Sequence, residues 1–137
     1  AASDVYKRQG VTSAVSVPAA ADVPVTQRGV THAFTVVSGH LSPGHEKSLV
    51  DWGALARVGG TIVVVMGVRN VRAITAALVE AGLDGATPAA VIQEGETDAQ
   101  RVYFATAASL ADVMEAESVA APVVYVVGEV AGIAHAG

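Results

Sequence analysis

Cysteine is absent from the 137-residue sequence, and aromatic and charged residues are scarce, at 4% and 15%. Without cysteine the chain forms no disulfide and no thiolate metal site, which fits a reducing compartment such as the cytoplasm. Eight lysines and arginines stand against 13 acidic residues, for a net charge of −5. This balance lacks the basic stripe that a phosphate backbone requires, so we expect no nucleic-acid partner.

Long apolar runs are also missing, since none reaches the roughly 18–20 residues of a membrane-spanning helix. The longest candidate, Val58 to Val68, is interrupted by glycines and a threonine and is mostly β-branched, which favours a buried strand. Residues 1–9 contain charges but no apolar segment typical of a signal peptide. We therefore expect a cytoplasmic protein without a membrane partner.

Apolar residues nevertheless make up 52% of the chain, and most of them are alanine and valine. Alanine favours helices and valine favours strands. The apolar period alternates between the two along the chain, which predicts an α/β fold. The length is sufficient for one domain with a hydrophobic core.

The pattern predicts strands and helices in alternation. The expected strands are Phe34–Ser38, Thr61–Met66, Ala89–Gln93, Val102–Ala105 and Val123–Val127. Helices are expected near Thr12, over Asp51–Val58, after the cap residue Asn70 as far as Gly82, and after the cap residue Ser109. Because only a short polar loop separates the third and fourth strands, they should form a hairpin. We therefore predict a mixed, roughly five-stranded sheet flanked by helices.

The end of the second expected strand combines features of a ligand site. Gly67 would allow a ligand to approach the backbone, and the helix that begins after Asn70 would point its N-terminus at the same place. Ligands of α/β proteins bind beyond the carboxyl ends of strands. From the residues alone, an ordinary strand-to-helix turn with Met66 in the core is the favoured interpretation. No metal site is expected, because the four histidines are not spaced to share a helical face.

Five segments resemble, in order, the uroporphyrinogen-III C-methyltransferases, which transfer methyl groups from S-adenosylmethionine to a tetrapyrrole. They are Gly10–Ala14, Pro24–Gly29, Val64–Gly67, Gln100–Val102 and Val126–Val130. The resemblance covers only the C-terminal half of such an enzyme. It implies the C-terminal α/β domain of the tetrapyrrole methylase fold over residues 29–137. An inter-domain helix and linker would occupy residues 10–28, and residues 1–9 would be a foreign leader.

The resemblance also implies which residues meet S-adenosylmethionine, the methyl donor. Thr12 and Ser13 would lie beside it, although hydroxyls after a glycine are also ordinary helix caps. Met66 would lie against the cofactor, and Gly95 would contact its adenosine part. Val127, at the end of the last expected strand, is a candidate for the adenine side.

Arg28 is the implied substrate-binding residue. The family motif is Pro-[Val/Leu]-Thr-His-Arg, and a guanidinium binds carboxylates such as those around uroporphyrinogen in a bidentate manner. A solvated loop arginine is the alternative. Gln27 replaces the histidine of the motif and cannot be protonated, so no acid–base role is carried over and the catalytic residue remains unknown. Arg101 is interpreted as structural.

The function implied by the resemblance is conversion of uroporphyrinogen III to precorrin-2, for sirohaem and cobalamin biosynthesis, by a homodimer. The cofactor would lie between two α/β domains, and the glycine-rich loops of the N-terminal domain do not occur in this sequence. We therefore expect the chain to need that domain as a partner, and alone to bind the cofactor weakly without turnover. The alternatives are another precorrin or cobalt-precorrin methyltransferase, or a non-catalytic α/β interaction domain.

Overall fold

The computed structural model describes residues 34–93, 100–120 and 122–136. The strands in these ranges are β1 (Phe34–Ser38), β2 (Thr61–Val65), β3 (Pro88–Gln93), β4 (Arg101–Thr106) and β5 (Val123–Val127). The helices are α1 (Trp52–Val58), α2 (Val71–Glu80), α3 (Leu110–Ala116) and α4 (Glu129–Ala136). The predicted leader, linker and first helix lie outside the described residues.

The five strands form one sheet in the order β1-β2-β5-β3-β4. β1 and β2 are parallel, whereas β5 is antiparallel to both of its neighbours and β3 is antiparallel to β4. The predicted mixed five-stranded sheet is confirmed. The hairpin of the third and fourth strands is confirmed as well, with a register that runs from Pro88 opposite Thr106 to Gln93 opposite Arg101.

The carboxyl ends of three strands lie side by side at one end of the sheet. β1, β2 and β3 run in the same direction, because β5 is antiparallel to both β2 and β3. Ser38 is the register partner of Val65, and Gln93 is the partner of Val123. The ends of β1, β2 and β3 therefore meet the starts of β4 and β5 along what we call the carboxyl edge.

Both faces of the sheet are covered at its centre. Alternate residues, such as Ile62 and Val64, face a core formed with α1, α2 and α3, to which Trp52, Ile74, Leu78, Leu110 and Met114 contribute. The other residues, such as Val63 and Val126, pack with Val130 and Ala131 of α4. Burial on both faces explains why the two central strands β2 and β5 are nearly continuous runs of β-branched residues.

The predicted N-cap positions of α2 and α3 are confirmed, but the side-chain caps expected there are not formed. Asn70 and Ser109 precede α2 and α3, but neither side chain accepts a hydrogen bond from its helix. The Asn70 amide group donates instead to the carbonyl oxygen of Gly39, and Ser109 Oγ accepts from the backbone N–H of Thr106. Both side chains are engaged by neighbouring loops and are therefore not available to cap.

The predicted glycine stop after α2 is confirmed. Gly82 has a φ of 119°, and its N–H donates to the carbonyl of Val79 at 3.0 Å. The N–H of Leu83 donates to the carbonyl of Leu78, also at 3.0 Å. This pair of bonds is a Schellman motif, which satisfies carbonyl groups at the end of the helix.

Candidate functional site

The loops that follow β1 and β2 meet backbone to backbone at the carboxyl edge. The N–H of Gly39 donates to the carbonyl of Val65 at 2.8 Å. A Cβ added to Gly39 would lie 2.7 Å from the Cα of Gly67, a distance that real Cβ atoms do not adopt. The absence of a side chain at Gly39 is thus what lets the two loops touch.

Gly67 is packed from its other side by Tyr125 of β5. A Cβ on Gly67 would lie 2.6 Å from Tyr125 Oη and 2.7 Å from Val64 Cγ1. The Tyr125 side chain is fully buried, and its hydroxyl donates to the Gly67 carbonyl at 3.1 Å. Burial raises the pKa of Tyr125, so the phenol stays a neutral donor. The sequence predicted Gly67 as a point of ligand approach, whereas the structure shows an internal packing reason for it.

Met66 lies between Val65 and Gly67 in a left-handed conformation, with a φ of 55°. β2 therefore ends one residue earlier than predicted. The left-handed region costs a residue other than glycine roughly 1–2 kcal/mol, and such residues occur at ligand sites when their surroundings hold them there. The Met66 side chain is 65% exposed. The alternative of a core methionine is thus wrong, and the carboxyl edge presents an exposed thioether.

Asn70 connects the two loops to α2. Its side-chain amide donates to the Gly39 carbonyl at 2.8 Å, and its backbone N–H donates to the Gly67 carbonyl at 3.2 Å. Its own carbonyl accepts the first hydrogen bond of the helix, from Ile74 at 2.8 Å. The position of both glycine loops is therefore fixed relative to the helix.

The other predicted site residues are distributed unevenly. Thr12, Ser13, Arg28 and Gly95 lie outside the described residues. The strand that precedes Gly95 ends at Gln93, on the carboxyl edge, where Met66 also lies.

Val127 lies at the end of the sheet opposite the carboxyl edge and Met66, beside the amino ends of β2 and β3. It is the register partner of Ile62 and Ala89, and its side chain is only 1% exposed. The pairing therefore does not bring Val127 next to Met66. Its contact with a cofactor stays a prediction, and such a contact would have to be made by the backbone.

Two contributors to this site, Tyr125 and Gly39, were not identified from the sequence. A signal for Tyr125 was present, because it is the single hydroxyl-bearing residue in the strand sequence Val-Val-Tyr-Val-Val. A buried tyrosine hydroxyl usually has a hydrogen-bond partner, so this position indicated a specific polar contact. Its partner lies 58 residues away along the chain and could not be identified from local sequence.

A cleft of about 200 Å³ lies between α3 and the start of α2. Its lining includes Val71, Met114 and Arg72. The Arg72 guanidinium forms ion pairs with Asp112 at 3.0 Å and Glu115 at 2.9 Å, and the hydrogen bond to Asp112 raises the pKa of Arg72. The exposed Arg72 guanidinium is thus already occupied by two carboxylates of the same protein, so the carboxyl edge is the better candidate site.

The described residues contain neither a metal-binding cluster nor a membrane-spanning helix. No group of three His, Asp or Glu side chains there could hold a metal ion. No helix among them is long and apolar enough to cross a membrane.

The chain forms an α/β domain whose carboxyl edge is a candidate ligand site, built on two glycine loops and an exposed methionine. The family model of the Tetrapyrrole (Corrin/Porphyrin) Methylases matches residues 9–111. The chain belongs to this family, which confirms the resemblance seen in the sequence.

Curated relatives carry more specific names. An "S-adenosyl-L-methionine-dependent uroporphyrinogen III methyltransferase" of Methanosarcina barkeri is 44% identical over 121 residues, which are 88% of this chain and 48% of the relative. A "Uroporphyrinogen-III C-methyltransferase" of Bacillus subtilis is 38% identical over 88% of this chain and 47% of the relative. The chain thus spans about half the length of these curated relatives.

Solved structures agree with the fold. A uroporphyrin III C-methyl transferase from Thermus thermophilus has a TM-score of 0.72 and 30% identity, covering 89% of this chain and 49% of its own. The same enzyme has been solved with S-adenyl homocysteine, at the same TM-score. A cobalt precorrin-4 methyltransferase shares the fold at a TM-score of 0.77 with 18% identity.

Proposed function

We propose that the chain is the C-terminal part of an S-adenosylmethionine-dependent uroporphyrinogen-III C-methyltransferase, which makes precorrin-2 for the sirohaem and cobalamin branches. Membership of the tetrapyrrole methylases and the names of its relatives support this. The observation that carries the proposal is Met66. It is exposed at the carboxyl edge in a left-handed conformation, at the position where the resemblance implies the cofactor.

The chemistry of this edge fits the adenosine part of S-adenosylmethionine. A flat, largely apolar ring needs an apolar surface and a few backbone partners. The exposed thioether of Met66 supplies the apolar surface, and the loops at Gly39 and Gly67 supply backbone at the strand ends. Thr12, Ser13 and Gly95 complete this site in our proposal. Val127 remains a candidate for a backbone contact only.

Bound S-adenosylmethionine would supply an activated methyl group on a positively charged sulfur, which is a good leaving group. The chain's own residues would then have to hold donor and acceptor in line and exclude water, which are effects of positioning. Met66 would orient the adenosine, and Arg28 would bind substrate carboxylates in bidentate fashion. No residue is assigned as general acid or base.

The remaining parts of the enzyme are proposals about its assembly. The relatives are about twice as long as this chain, which supports a second α/β domain that closes the cofactor cleft from the N-terminal side. We also propose a homodimer located in the cytoplasm. On this basis the chain alone would bind the cofactor weakly and would not turn over.

Met66→Ala tests where the cofactor binds. The matched control is Val58→Ala, because Val58 is similarly exposed, at 68%, but lies at the end of α1, before the start of β2. We expect Met66→Ala to weaken S-adenosylhomocysteine binding about ten-fold, because it removes an apolar contact that contributes about 1.4 kcal/mol to the binding free energy. Val58→Ala should leave it unchanged. Both dissociation constants are measured by isothermal titration calorimetry. The protein used is a chimera, in which this chain is joined to the N-terminal half of the M. barkeri relative.

Methyl transfer from labelled S-adenosylmethionine to uroporphyrinogen III tests the activity itself. The chimeric protein should form precorrin-2, and the 137-residue chain alone should not. A folded chimera that binds S-adenosylhomocysteine but methylates no uroporphyrinogen would refute the substrate. Equal affinity of the Met66→Ala variant and the parent would refute the location of the site.

A further inference from the structure

We propose that Tyr125 is a positioning residue for the cofactor, whose buried hydroxyl holds the Met66–Gly67 turn in the conformation that presents Met66. The inference rests on the proposed function of this edge. It extends that function to a residue that lies in the core, in a different strand from Met66.

The contact itself is specific. Tyr125 Oη donates to the Gly67 carbonyl at 3.1 Å, and both residues are buried. The hydroxyl lies so close to Gly67 that an added Cβ would approach it to 2.6 Å. A hydroxyl buried without a partner is costly, so rotation of the Gly67 carbonyl away from Tyr125 would be opposed.

The turn needs such a restraint because Met66 is strained. A methionine with a φ of 55° relaxes unless its neighbours hold it. On one side, the loop after β1 restrains the turn through the Gly39 N–H, which donates to Val65. β5 lies on the other side of β2, and from there Tyr125 restrains the residue that follows Met66.

A purely space-filling role makes a different prediction. Phenylalanine has the same ring and would fill the same volume, so a space-filling tyrosine should tolerate Tyr125→Phe without any local change. Tyr103 provides the matched control. It lies in β4, is partly buried against the same core, and its hydroxyl forms no hydrogen bond with the rest of the described chain.

Amide hydrogen exchange of the 137-residue chain tests the restraint directly. In Tyr125→Phe, the Asn70 amide, which donates to the Gly67 carbonyl, should exchange roughly three- to ten-fold faster, as expected for loss of one hydrogen bond. The Ile92 amide, in the centre of the sheet, should be unchanged, and Tyr103→Phe should alter neither. An unchanged Asn70 rate would overturn the inference. An equal acceleration at Asn70 and Ile92 would also overturn it, since that reports general destabilisation.

Titration of S-adenosylhomocysteine into the same chimera tests the link to the cofactor. Tyr125→Phe should raise the dissociation constant roughly three- to ten-fold, whereas Tyr103→Phe should leave it unchanged. If the parent binds and Tyr125→Phe binds equally well, the positioning role is wrong and the proposed function stands. If the parent itself does not bind, the proposed function fails and the cofactor role of Tyr125 fails with it. The exchange experiment then still decides whether the hydroxyl holds the turn.

Discussion

Replacing Gly67 by alanine would place a methyl group in a space that two fixed side chains already fill. The new Cβ would lie 2.6 Å from Tyr125 Oη and 2.7 Å from Val64 Cγ1. Tyr125 and Val64 are both fully buried, so neither side chain can turn into solvent. Gly67 does not have a positive φ, and the cost is therefore steric rather than conformational.

The expected loss of stability follows from these two contacts. Overpacking of a well-packed core usually costs about 1–3 kcal/mol, and two contacts below 3.0 Å place Gly67→Ala at the upper end, about 3 kcal/mol. In a chain of this size, that corresponds to a decrease in Tm of about 10–15 °C. Urea and thermal denaturation, followed by circular dichroism, measure both quantities.

A double-mutant cycle assigns the loss to the predicted contact. Tyr125→Phe removes the oxygen at 2.6 Å but leaves the methyl of Val64 in place. Gly67→Ala should therefore cost about 1 kcal/mol less in the Tyr125→Phe background than in the parent. A loss below about 0.5 kcal/mol in the parent, or strict additivity of the two changes, would refute this account of the packing.

Two further predictions concern α1 and alkaline pH. Gly53→Ala should raise the free energy of unfolding by up to about 1 kcal/mol, because Gly53 lies inside α1 and its nearest new neighbour is the flexible end of Arg57 at 3.2 Å; a destabilised variant in urea denaturation would contradict this. Burial raises the pKa of Tyr125 above the ordinary value of about 10. The unfolded chain then loses this proton first, so stability should fall above pH 10 by up to about 1.4 kcal/mol per pH unit. Tyr125→Phe should abolish this contribution to the loss of stability. Urea denaturation above pH 10 measures it, and equal losses in the parent and in Tyr125→Phe would contradict the prediction.

The strands were predictable because each is specified by its own residues. Thr61 to Val65 are β-branched throughout and lie in a sheet covered on both faces, so local propensity and tertiary environment agree. The order of the strands was not predictable. Insertion of β5 between β2 and β3 depends on pairing between segments far apart in sequence, which local patterns do not encode.

The candidate site shows the same division. Met66 was predicted from its position at the end of a strand and from the family motif, both of which are local, and the structure shows only that it is exposed there. The failed prediction for Asn70 has a tertiary cause, since its side chain reaches the Gly39 carbonyl, 31 residues away. The Tyr125–Gly67 contact joins residues 58 positions apart, so it could not be predicted from local sequence either.

The central place of β5 has a consequence for how the chain folds during synthesis. β1 pairs with β2 and β3 pairs with β4, but among the five described strands these two pairs are joined only through β5, which follows the other four along the chain. Until Val123–Val127 is synthesised, the four preceding described strands can form two separate two-stranded pieces, each of which is marginal on its own. The facing edges of β2 and β3 stay unpaired during that interval and offer templates for association with other nascent chains. Insertion of a single late strand thus completes the sheet and, through Tyr125, the turn at Met66 in the same event.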